Sequence, residues 1–294
     1  MKILLLGKGG QVGWELQRSL APLGTLVAHD FDTADFTQPE QVAALVASVA
    51  PDVIVNAAAH TAVDKAESEP EVARLINATT PALVAQEAAK LGALLVHYST
   101  DYVFDGSGTE PRDEQAATAP LSVYGATKLE AEQAIAASGC KHLIFRTSWV
   151  YGARGGNFAK TMLKLAAERD ALKVINDQVG APTGADLLAD VTAHAIRAAI
   201  LKPELGGLYH LVAGGLTTWH EYASHVIEWA RAQGVAIKVA PDAISAVPTT
   251  EYPTPAKRPL NSRLDTRKLQ HAFGLSLPHW QAGVERMLTE HLGK

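Results

Sequence analysis

A glycine-rich turn near the N-terminus constrains the fold more than any other feature of the sequence. The run Ile3–Leu6 is wholly apolar, as expected for a strand covered on both faces of a sheet. It is followed by GKGGQVG, in which Gly7, Gly10 and Gly13 stand three apart. From Val12 onward an apolar residue recurs at every fourth position, at Leu16 and Leu20, which is typical of one helix face. The sequence therefore predicts a strand, a tight turn and a helix.

The same turn predicts a dinucleotide site in preference to a purely structural turn. Glycines let the backbone approach a pyrophosphate, and the helix N-terminus offers N–H groups and the positive end of its dipole. Asp30 ends the second predicted strand, about 20 residues past the glycines, where a carboxylate can bind the adenosine ribose. Because a carboxylate repels a 2′-phosphate, Asp30 favours NADH over NADPH. Asp35 and Phe36 are candidates for a position beside the adenine.

The rest of the first half keeps alternating strands with helices, which predicts a mostly parallel, doubly wound α/β sheet of the Rossmann type. Thr80 and Pro81 are expected to begin one helix, with Thr80 as its N-cap, and Gly92 to end it. The predicted strands are 25–28, 53–55, 93–99 and 142–147, and the predicted helices are 42–49, 80–91 and 122–137.

The later part of the chain has a different character. Five prolines fall between Pro241 and Pro259, a density that is hard to fit into regular core elements. Short helices such as Trp219–Ala232 are predicted around them. We therefore expect a smaller C-terminal lobe that binds substrate. The predicted division is 1–150 for the dinucleotide-binding domain, with some later segments returning to it, and 151–294 for the lobe, with a soft boundary.

Composition narrows the class of protein. The 294 residues are 47% hydrophobic and 19% charged, which is typical of a globular protein. The net charge of −5 offers no basic field for nucleic acid or for an anionic membrane surface. Cys140 is the only cysteine, so no intrachain disulfide ties the fold to an oxidising compartment. The first apolar run is too short for a signal peptide or a membrane span. We expect a cytoplasmic protein.

Tyr124 and Lys128 form a candidate catalytic pair. They stand four apart in SVYGATKLEAE, a spacing that places both side chains on one face of the predicted helix. A tyrosine has an ordinary pKa of about 10, and a neighbouring ammonium stabilises its phenolate and eases proton transfer near neutral pH. The alternative is an ordinary tyrosine and lysine on an amphipathic helix. Their place after a polar strand end favours catalysis.

That polar strand end is HYSTDYVFDG. Ser99 and Thr100 are predicted at the carboxyl end of a strand, the edge where doubly wound sheets bind ligands. A hydroxyl there can hold a substrate carbonyl for hydride attack, and Thr100 is preferred, with Ser99 as the alternative. The preceding strand ends in NAAA, whose small side chains leave room for a cofactor, and His60 and Thr61 follow it.

Longer runs resemble one family over nearly the whole chain. The chain is similar to the dTDP-4-dehydrorhamnose reductases, which are extended short-chain dehydrogenases. The runs that carry the resemblance are VIVNAAAHTAVDKAESEP, HYSTDYVFDG, YGATKLEAE, FRTSWVYG, NDQVGAPTGADLLAD and AVPTTEYPTPAKRPLNSRLDT. The resemblance implies that NAD(P)H delivers a hydride to C4 of dTDP-4-dehydro-β-L-rhamnose, which gives dTDP-β-L-rhamnose for a surface polysaccharide.

The resemblance also implies roles for individual residues. Tyr124 would donate the proton, Lys128 would assist it and hold the nicotinamide ribose, and Thr100 would orient the sugar carbonyl. The residues implied along the dinucleotide are Gly7, Gly10, Gln11, Val12, Gly13, Asp30, Asp35, Phe36, Ala59, His60 and Thr61. Those implied at the sugar and the nicotinamide region are Asp101, Tyr102 and Trp149. Those implied near the nucleotide-sugar phosphates are Arg258, whose fork suits a pyrophosphate, and Asn261.

Several points stay open at this stage. Members of the family use NADH or NADPH, and some are Mg²⁺-dependent dimers, so the resemblance leaves the preferred cofactor, a Mg²⁺ ion and a homodimer undecided. The sequence has no metal-ligand motif, and Glu15 and Asp64 are isolated carboxylates.

Two rival functions also remain. The first is another nucleotide-sugar epimerase or dehydratase on the same scaffold. A dehydratase needs an added acid beside the threonine, and no glutamate directly follows Thr100 and Asp101. The second is a non-catalytic regulatory subunit like the related β subunit of methionine adenosyltransferase.

Overall fold

A six-stranded parallel sheet forms the centre of the computed structural model, which describes residues 1–293. The strands are β1 (Lys2–Leu6), β2 (Thr25–His29), β3 (Val53–Asn56), β4 (Leu94–Thr100), β5 (Lys141–Thr147), β6 (Val150–Tyr151), β7 (Leu172–Ile175), β8 (Val179–Gly180), β9 (Thr183–Gly184), β10 (Gly207–His210), β11 (Thr217–Thr218) and β12 (Ile244–Val247). The α-helices are α1 (Gln11–Leu20), α2 (Pro39–Val49), α3 (Val63–Ser68), α4 (Pro70–Arg74), α5 (Thr80–Leu91), α6 (Val123–Ala137), α7 (Phe158–Glu168), α8 (Ala185–Leu201), α9 (Trp219–Ala232), α10 (Arg267–Phe273) and α11 (Trp280–Leu292).

The order of the central sheet is β10-β5-β4-β3-β1-β2, and every neighbouring pair in it is parallel. The chain winds outward in one direction from β1 to β2 and in the other from β3 to β10. The direction reverses between β1 and β3, which is where doubly wound sheets open a crevice for ligands. The predicted Rossmann-type α/β fold is confirmed.

The apolar strands bury both of their faces. Ile3 and Leu5 of β1 belong to an apolar cluster that includes residues of α1 and α8. Leu4 and Leu6 belong to the opposite cluster, with residues of α2 and α5. Successive side chains of a strand point to opposite faces, so one short apolar run anchors two helical layers. The first-half strands and helices lie within a few residues of their predicted positions.

The predicted N-cap at Thr80 is wrong, although α5 does begin there. Thr80 is buried, and its hydroxyl donates to the carbonyl oxygen of Phe36 at 2.7 Å. The helical path continues upstream through a π-helical segment, Leu75–Thr79, into α4. Pro81 has no N–H for the carbonyl one turn before it, and the wider π turn accommodates that loss. Gly92 ends α5 with a φ of +68°, as predicted.

The later part of the chain contributes both to the sheet and to a separate group of elements. Strand β10 pairs with β5, and α8 packs against α1. Helices α7, α9 and α11 enclose a further apolar cluster, and α7 and α9 share another with β7 and β12. A division of the chain near residue 150 remains a proposal. Among residues 1–293, no helix has the length and apolar character that crossing a bilayer requires.

A buried ion pair joins α6 to the sheet, and its loss is expected to destabilise the fold. Arg146 Nε and Nη2 donate to the Glu132 carboxylate at 2.9 and 2.6 Å, and both side chains are buried. Glu132→Leu leaves the guanidinium unpaired in the interior, so we expect the free energy of unfolding in urea to fall by about 3–5 kcal/mol.

The matched control is Glu251→Leu, which removes the partner of an exposed pair with Lys173 at 3.6 Å. It should cost less than about 1 kcal/mol. Equal losses in the two variants would contradict the assigned role of the Arg146–Glu132 pair.

Candidate active site

The register of the parallel strands brings the predicted polar residues to one edge of the sheet. Leu6 is level with Asn56, and Asn56 is level with His97 of β4. Strand β4 then continues to Thr100, which lies opposite Thr147 at the end of β5. The ends of β1, β3 and β4 therefore form the floor of one crevice at the topological switch point.

The three glycines of the first turn serve different purposes. Gly7 has a φ of +84°, and a Cβ there would lie 2.7 Å from the Ala58 nitrogen. A Cβ on Gly13 would lie 1.9 Å from the Gly7 oxygen. Packing is therefore by itself enough to require glycine at both positions. Gly10 has negative φ, and a Cβ there would meet only the Gly7 oxygen, at an ordinary 3.6 Å. The space beside Gly10 at the N-terminus of α1 is open to a ligand.

Asp30 lies directly over this turn. A Cβ on Gly9 would lie 2.1 Å from Asp30 Oδ2, so the carboxylate is in contact with the turn backbone. The predicted neighbours of the adenine are less free. Asp35 Oδ1 accepts hydrogen bonds from the backbone N–H and the hydroxyl of Thr37, and the Phe36 ring packs in an apolar cluster.

The loop that follows β3 is fixed by a residue that sequence reasoning did not identify. Asn77 Oδ1 accepts from the His60 N–H at 2.8 Å, and its amide nitrogen donates to the His60 carbonyl at 3.1 Å. The amide also donates to Thr127 Oγ1 of α6. Asn77 belongs to the π-helical segment, a form often found at functional sites. It ties the segment from Ala59 to Thr61 to the helix that carries the catalytic candidates.

Helix α6 places Tyr124 beside Thr100. Ser122 caps the helix by accepting from the Gly125 N–H, and a Cβ on Gly125 would lie 2.2 Å from the Tyr102 oxygen. The helix start is therefore pressed against the turn after β4. Tyr124 stands edge-on to the Tyr102 ring at 5.5 Å, and its hydroxyl is near enough to Thr100 for that side chain to lower its pKa. The predicted tyrosine and threonine come together at the sheet edge.

The electrostatics of Tyr124 differ from the expectation. Burial raises the pKa of Tyr124, the charge of Asp101 raises it further, and only the nearby Thr100 side chain opposes them. The hydrogen-bond partner of Lys128 is not the phenol but His97, whose Nε2 lies 3.1 Å from Lys128 Nζ. Burial lowers the pKa of Lys128 to about 8, opposed by the charge of Glu132. Tyr124 is thus held as a protonated phenol.

Asp101 shares this environment. The side chain is buried, and burial raises its pKa to about 6 although Oδ1 accepts a hydrogen bond from Thr100. Thr100 Oγ1 donates to Asp101 Oδ1 at 3.0 Å and accepts from the Tyr102 N–H at 3.1 Å. The short turn after β4 therefore fixes the orientation of the Thr100 hydroxyl.

Trp149 stacks on a second tryptophan that the sequence did not suggest. The rings of Trp149 and Trp219 lie 3.7 Å apart at 16°, and Trp219 Nε1 donates to Gln178 Oε1. Trp149 has a φ of +49°, and a Cβ on Gly180 would lie 2.9 Å from its ring. A non-glycine residue with positive φ is strained. Packing of the Trp149 ring against Trp219 and Gly180 maintains this strain and fixes the position of the ring.

Arg258 and Asn261 have different protein partners. Arg258 Nη2 forms an ion pair with Asp64 Oδ2 at 2.7 Å, which connects the proline-rich segment to α3, and its charge lowers the pKa of the nearby Tyr102 against the effect of burial. The Asn261 side chain is buried. Its amide nitrogen donates to the carbonyl oxygens of Ser107 and Glu110, and its Oδ1 accepts from the Arg263 N–H.

A metal site gains no support from the side chains. Among residues 1–293, no group of three His, Cys, Asp or Glu side chains is placed to hold a metal ion. Of the two isolated carboxylates, Asp64 is paired with Arg258 and Glu15 with Arg18.

The fold and the site together define a class of protein. A doubly wound sheet, a glycine turn under an acidic residue, and a threonine, tyrosine and lysine at the same sheet edge are the features of a short-chain dehydrogenase of the extended type. The family model described as "RmlD substrate binding domain" matches residues 1–292. The chain therefore belongs to the RmlD family, that of the dTDP-4-dehydrorhamnose reductases.

Named relatives agree with this assignment. The dTDP-4-dehydrorhamnose reductases of Shigella flexneri and Escherichia coli K12 are each 63% identical over 294 residues, which cover 99% of this chain and 98% of those proteins. A solved dTDP-4-dehydrorhamnose reductase from Bacillus anthracis, in complex with NADP, has a TM-score of 0.88 at 35% identity and covers 98% of this chain and 99% of that one.

Replacing Asp101 by Asn is expected to make stability less dependent on pH. The folded-state pKa of about 6 lies above the ordinary 3.8, so the folded protein binds this proton more tightly than the unfolded chain. The resulting stabilisation is complete below about pH 4 and is lost as the pH rises through 6; two pKa units correspond to about 3 kcal/mol. Urea unfolding of both proteins from pH 4 to 7 measures it. Parallel curves for the wild type and Asp101→Asn would refute this assignment.

Proposed function

We propose that the chain reduces the C4 keto group of dTDP-4-dehydro-β-L-rhamnose with NAD(P)H to give dTDP-β-L-rhamnose. The observation that carries the proposal is the meeting of Thr100, Tyr124 and Lys128 at the sheet edge beside the glycine turn, in a chain 63% identical over its length to dTDP-4-dehydrorhamnose reductases. The chain is an NAD(P)H-dependent oxidoreductase.

The residues of the chain orient the sugar and supply the proton. The hydroxyls of Thr100 and Tyr124, which lie at the same sheet edge, would both be directed at the sugar carbonyl oxygen. Tyr124 gives its O–H proton to that oxygen as the C4 oxygen becomes an alcohol. The ammonium form of Lys128, buried on the same helix, stabilises the phenolate left behind. Bound NAD(P)H supplies the hydride.

The glycine turn fits a dinucleotide. The N-terminus of α1 has no side-chain cap, so N–H groups of its first turn, in which Gln11 and Val12 lie, are available for phosphate oxygens. Gly10 leaves the approach open, and Asp30 stands over the turn where ribose hydroxyls would be held. Ala59, His60 and Thr61 would follow the dinucleotide across the sheet edge. Asp35 and Phe36 would contribute backbone groups, since their side chains are engaged elsewhere.

A second part of the proposal concerns the choice between NADH and NADPH. The solved B. anthracis reductase binds NADP, whereas Asp30 of this chain would repel a 2′-phosphate. We propose that the chain accepts both nucleotides with a preference for NADH. Mg²⁺ forms no part of the proposal.

The sugar nucleotide would lie between the sheet edge and the C-terminal lobe. We propose that the ring of Trp149, supported by Trp219, packs on the sugar or the nicotinamide region, since aromatic faces suit such apolar contact. Asp101 and Tyr102 would set the position of the sugar through Thr100. Arg258 would face the phosphates after exchanging part of its contact with Asp64. Asn261 would act by fixing the segment from Ser107 to Glu110.

The rival functions have less support. Solved relatives that are a dTDP-glucose 4,6-dehydratase and a UDP-glucose 4-epimerase are 18% and 19% identical, so they share the fold. Tyr102, not a glutamate, follows Thr100 and Asp101, which disfavours dehydration. The intact Thr100, Tyr124 and Lys128 disfavour a purely regulatory subunit.

The product would enter the synthesis of a surface polysaccharide. A relative from Bacillus subtilis, 36% identical over 98% of this chain, is named spore coat polysaccharide biosynthesis protein SpsK. A cytoplasmic location and a homodimer remain predictions.

Tyr124→Phe is expected to abolish the reduction. The wild type should consume NADH and NADPH in the presence of dTDP-4-dehydrorhamnose and release dTDP-rhamnose, with a larger kcat/KM for NADH. Removing the proton donor should lower kcat about 10²- to 10⁴-fold, while nucleotide binding persists. The measurement is nicotinamide absorbance, with the product identified by chromatography.

Tyr102→Phe is the matched control, because it removes the same atom from the neighbouring ring and should lower kcat less than about 10-fold. Binding of the nucleotide by the wild type without its oxidation would instead favour an epimerase or a regulatory subunit.

Gly10→Ala is expected to separate a ligand role from a packing role in the turn. Its methyl group meets the protein only at ordinary contact distance, so stability should change by about 1 kcal/mol or less, while the dissociation constant for NADPH should rise more than about 10-fold. Calorimetric titration and urea unfolding give the two values. Gly13→Ala is the comparison, and its 1.9 Å clash should destabilise the fold. Unchanged nucleotide binding in Gly10→Ala would rule out the assigned phosphate approach.

A further inference from the structure

A chain of three buried side chains runs beneath the catalytic residues, from β3 through β4 to α6. Asn56 Nδ2 is 3.1 Å from His97 Nδ1, and His97 Nε2 is 3.1 Å from Lys128 Nζ. Asn56 and His97 are 1% exposed and Lys128 is 2% exposed, so water does not compete for these hydrogen bonds. The chemistry that the sequence suggested for Lys128 does not require such a chain.

The backbone fixes the direction of the chain at its first member. Asn56 Oδ1 accepts from the Ala58 N–H at 3.0 Å. Turning the Asn56 amide over would set its NH₂ against that N–H, and two donors would face each other. The amide nitrogen of Asn56 must therefore be the atom that faces His97, and it donates to Nδ1.

The tautomer of the imidazole follows from this direction. Since Nδ1 accepts, the proton of a neutral His97 is on Nε2. Neutral is the state that burial favours, because burial lowers the pKa of His97 well below its ordinary value. The Nε2–H then points at Lys128 Nζ, where only an amine, and not an ammonium, can accept it.

We propose that His97 is a positioning residue for Lys128, which Asn56 orients so that an N–H is directed at the lysine nitrogen and favours its amine form. Charging Lys128 requires Nε2 to become an acceptor, the imidazole proton to move to Nδ1, and the hydrogen bond from Asn56 to be given up. The protonation state of Lys128 is in this way coupled to the Ala58 backbone, against which Gly7 of the dinucleotide turn packs.

The other charged group that faces Lys128 acts in the opposite sense but weakly. Glu132, on the same helix, favours the ammonium, yet both of its oxygens are held by Arg146 of β5. The charge of Glu132 is thereby largely balanced, and the contact from β4 is the neutral His97. Asn77, on the π-helical segment, contacts Thr127 and carries no charge.

The first test is the tautomer of His97 in the wild-type protein, measured by long-range ¹⁵N–¹H NMR with ¹⁵N-labelled histidine. The His97 signal is assigned as the one absent from His97→Gln. We expect a neutral ring with its proton on Nε2 near neutral pH. A proton on Nδ1 would overturn the proposal, and this result does not depend on the proposed reaction.

The second test reverses the direction of the hydrogen bonds between Asn56, His97 and Lys128. In Asn56→Asp one carboxylate oxygen still accepts from the Ala58 N–H, while the other now accepts from His97 Nδ1–H. Nε2 then becomes an acceptor for an ammonium on Lys128. We expect the His97 proton to move to Nδ1. If the protein also performs the proposed reduction, the alkaline limb of its kcat/KM profile, where Lys128 loses its proton, should move to higher pH by about one unit or more.

Asn77→Asp is the matched control, because it adds the same buried charge near α6 at a residue whose contacts are His60 and Thr127. The His97 proton should remain on Nε2 in this variant. A tautomer and an alkaline limb that stay unchanged in Asn56→Asp, or a tautomer that moves equally in both variants, would overturn the proposal. Failure of the reduction itself would leave the NMR result, and so the two ideas are tested separately.

Discussion

The contact between the first glycine turn and the backbone after β3 is the constraint on which the rest of the site depends. A Cβ on Gly7 would lie within 3 Å of atoms in both Ala57 and Ala58, so the two segments are as close as their backbones allow. This contact fixes the start of α1 and, through the Ala58 N–H, the orientation of Asn56. The glycine turn and α6 are thus connected through a single layer of buried polar groups.

The first half of the fold was predictable because parallel strands buried on both faces leave a direct trace in the sequence. Strands β1 and β3 are short, continuous apolar runs, and glycine or asparagine marks their ends. Strands β7 and β12 leave no such trace. Each has four residues, they lie more than 60 positions apart, and β12 falls among the prolines. Their pairing depends on how α7 and α9 pack, which no local pattern determines.

The site residues likewise divide into those that a local sequence pattern indicates and those that only tertiary packing brings together. The placement of Thr100, Tyr124 and Lys128 near one sheet edge could be predicted because their spacing is informative within one strand and one helix, and their catalytic roles stay predictions. His97 was visible only as a polar residue in an apolar strand. Its function depends on the register that sets it level with Asn56, and on α6 passing beside it. Trp219 is likewise joined to Trp149 by tertiary packing across 70 positions, and Phe36 shows that a residue in a plausible sequence position can belong to the core.

Burial gives the site a consistent electrostatic character. It raises the pKa of Tyr124 and lowers the pKa of Lys128 to about 8, so each group is displaced toward its neutral form. A phenolate and an ammonium in this interior would both require desolvation. In the proposed reaction, the phenolate of Tyr124 would therefore exist only after its proton has passed to the sugar oxygen. Tyr124 therefore holds its proton firmly, whereas Lys128, with a pKa of about 8, can exchange a proton near neutral pH.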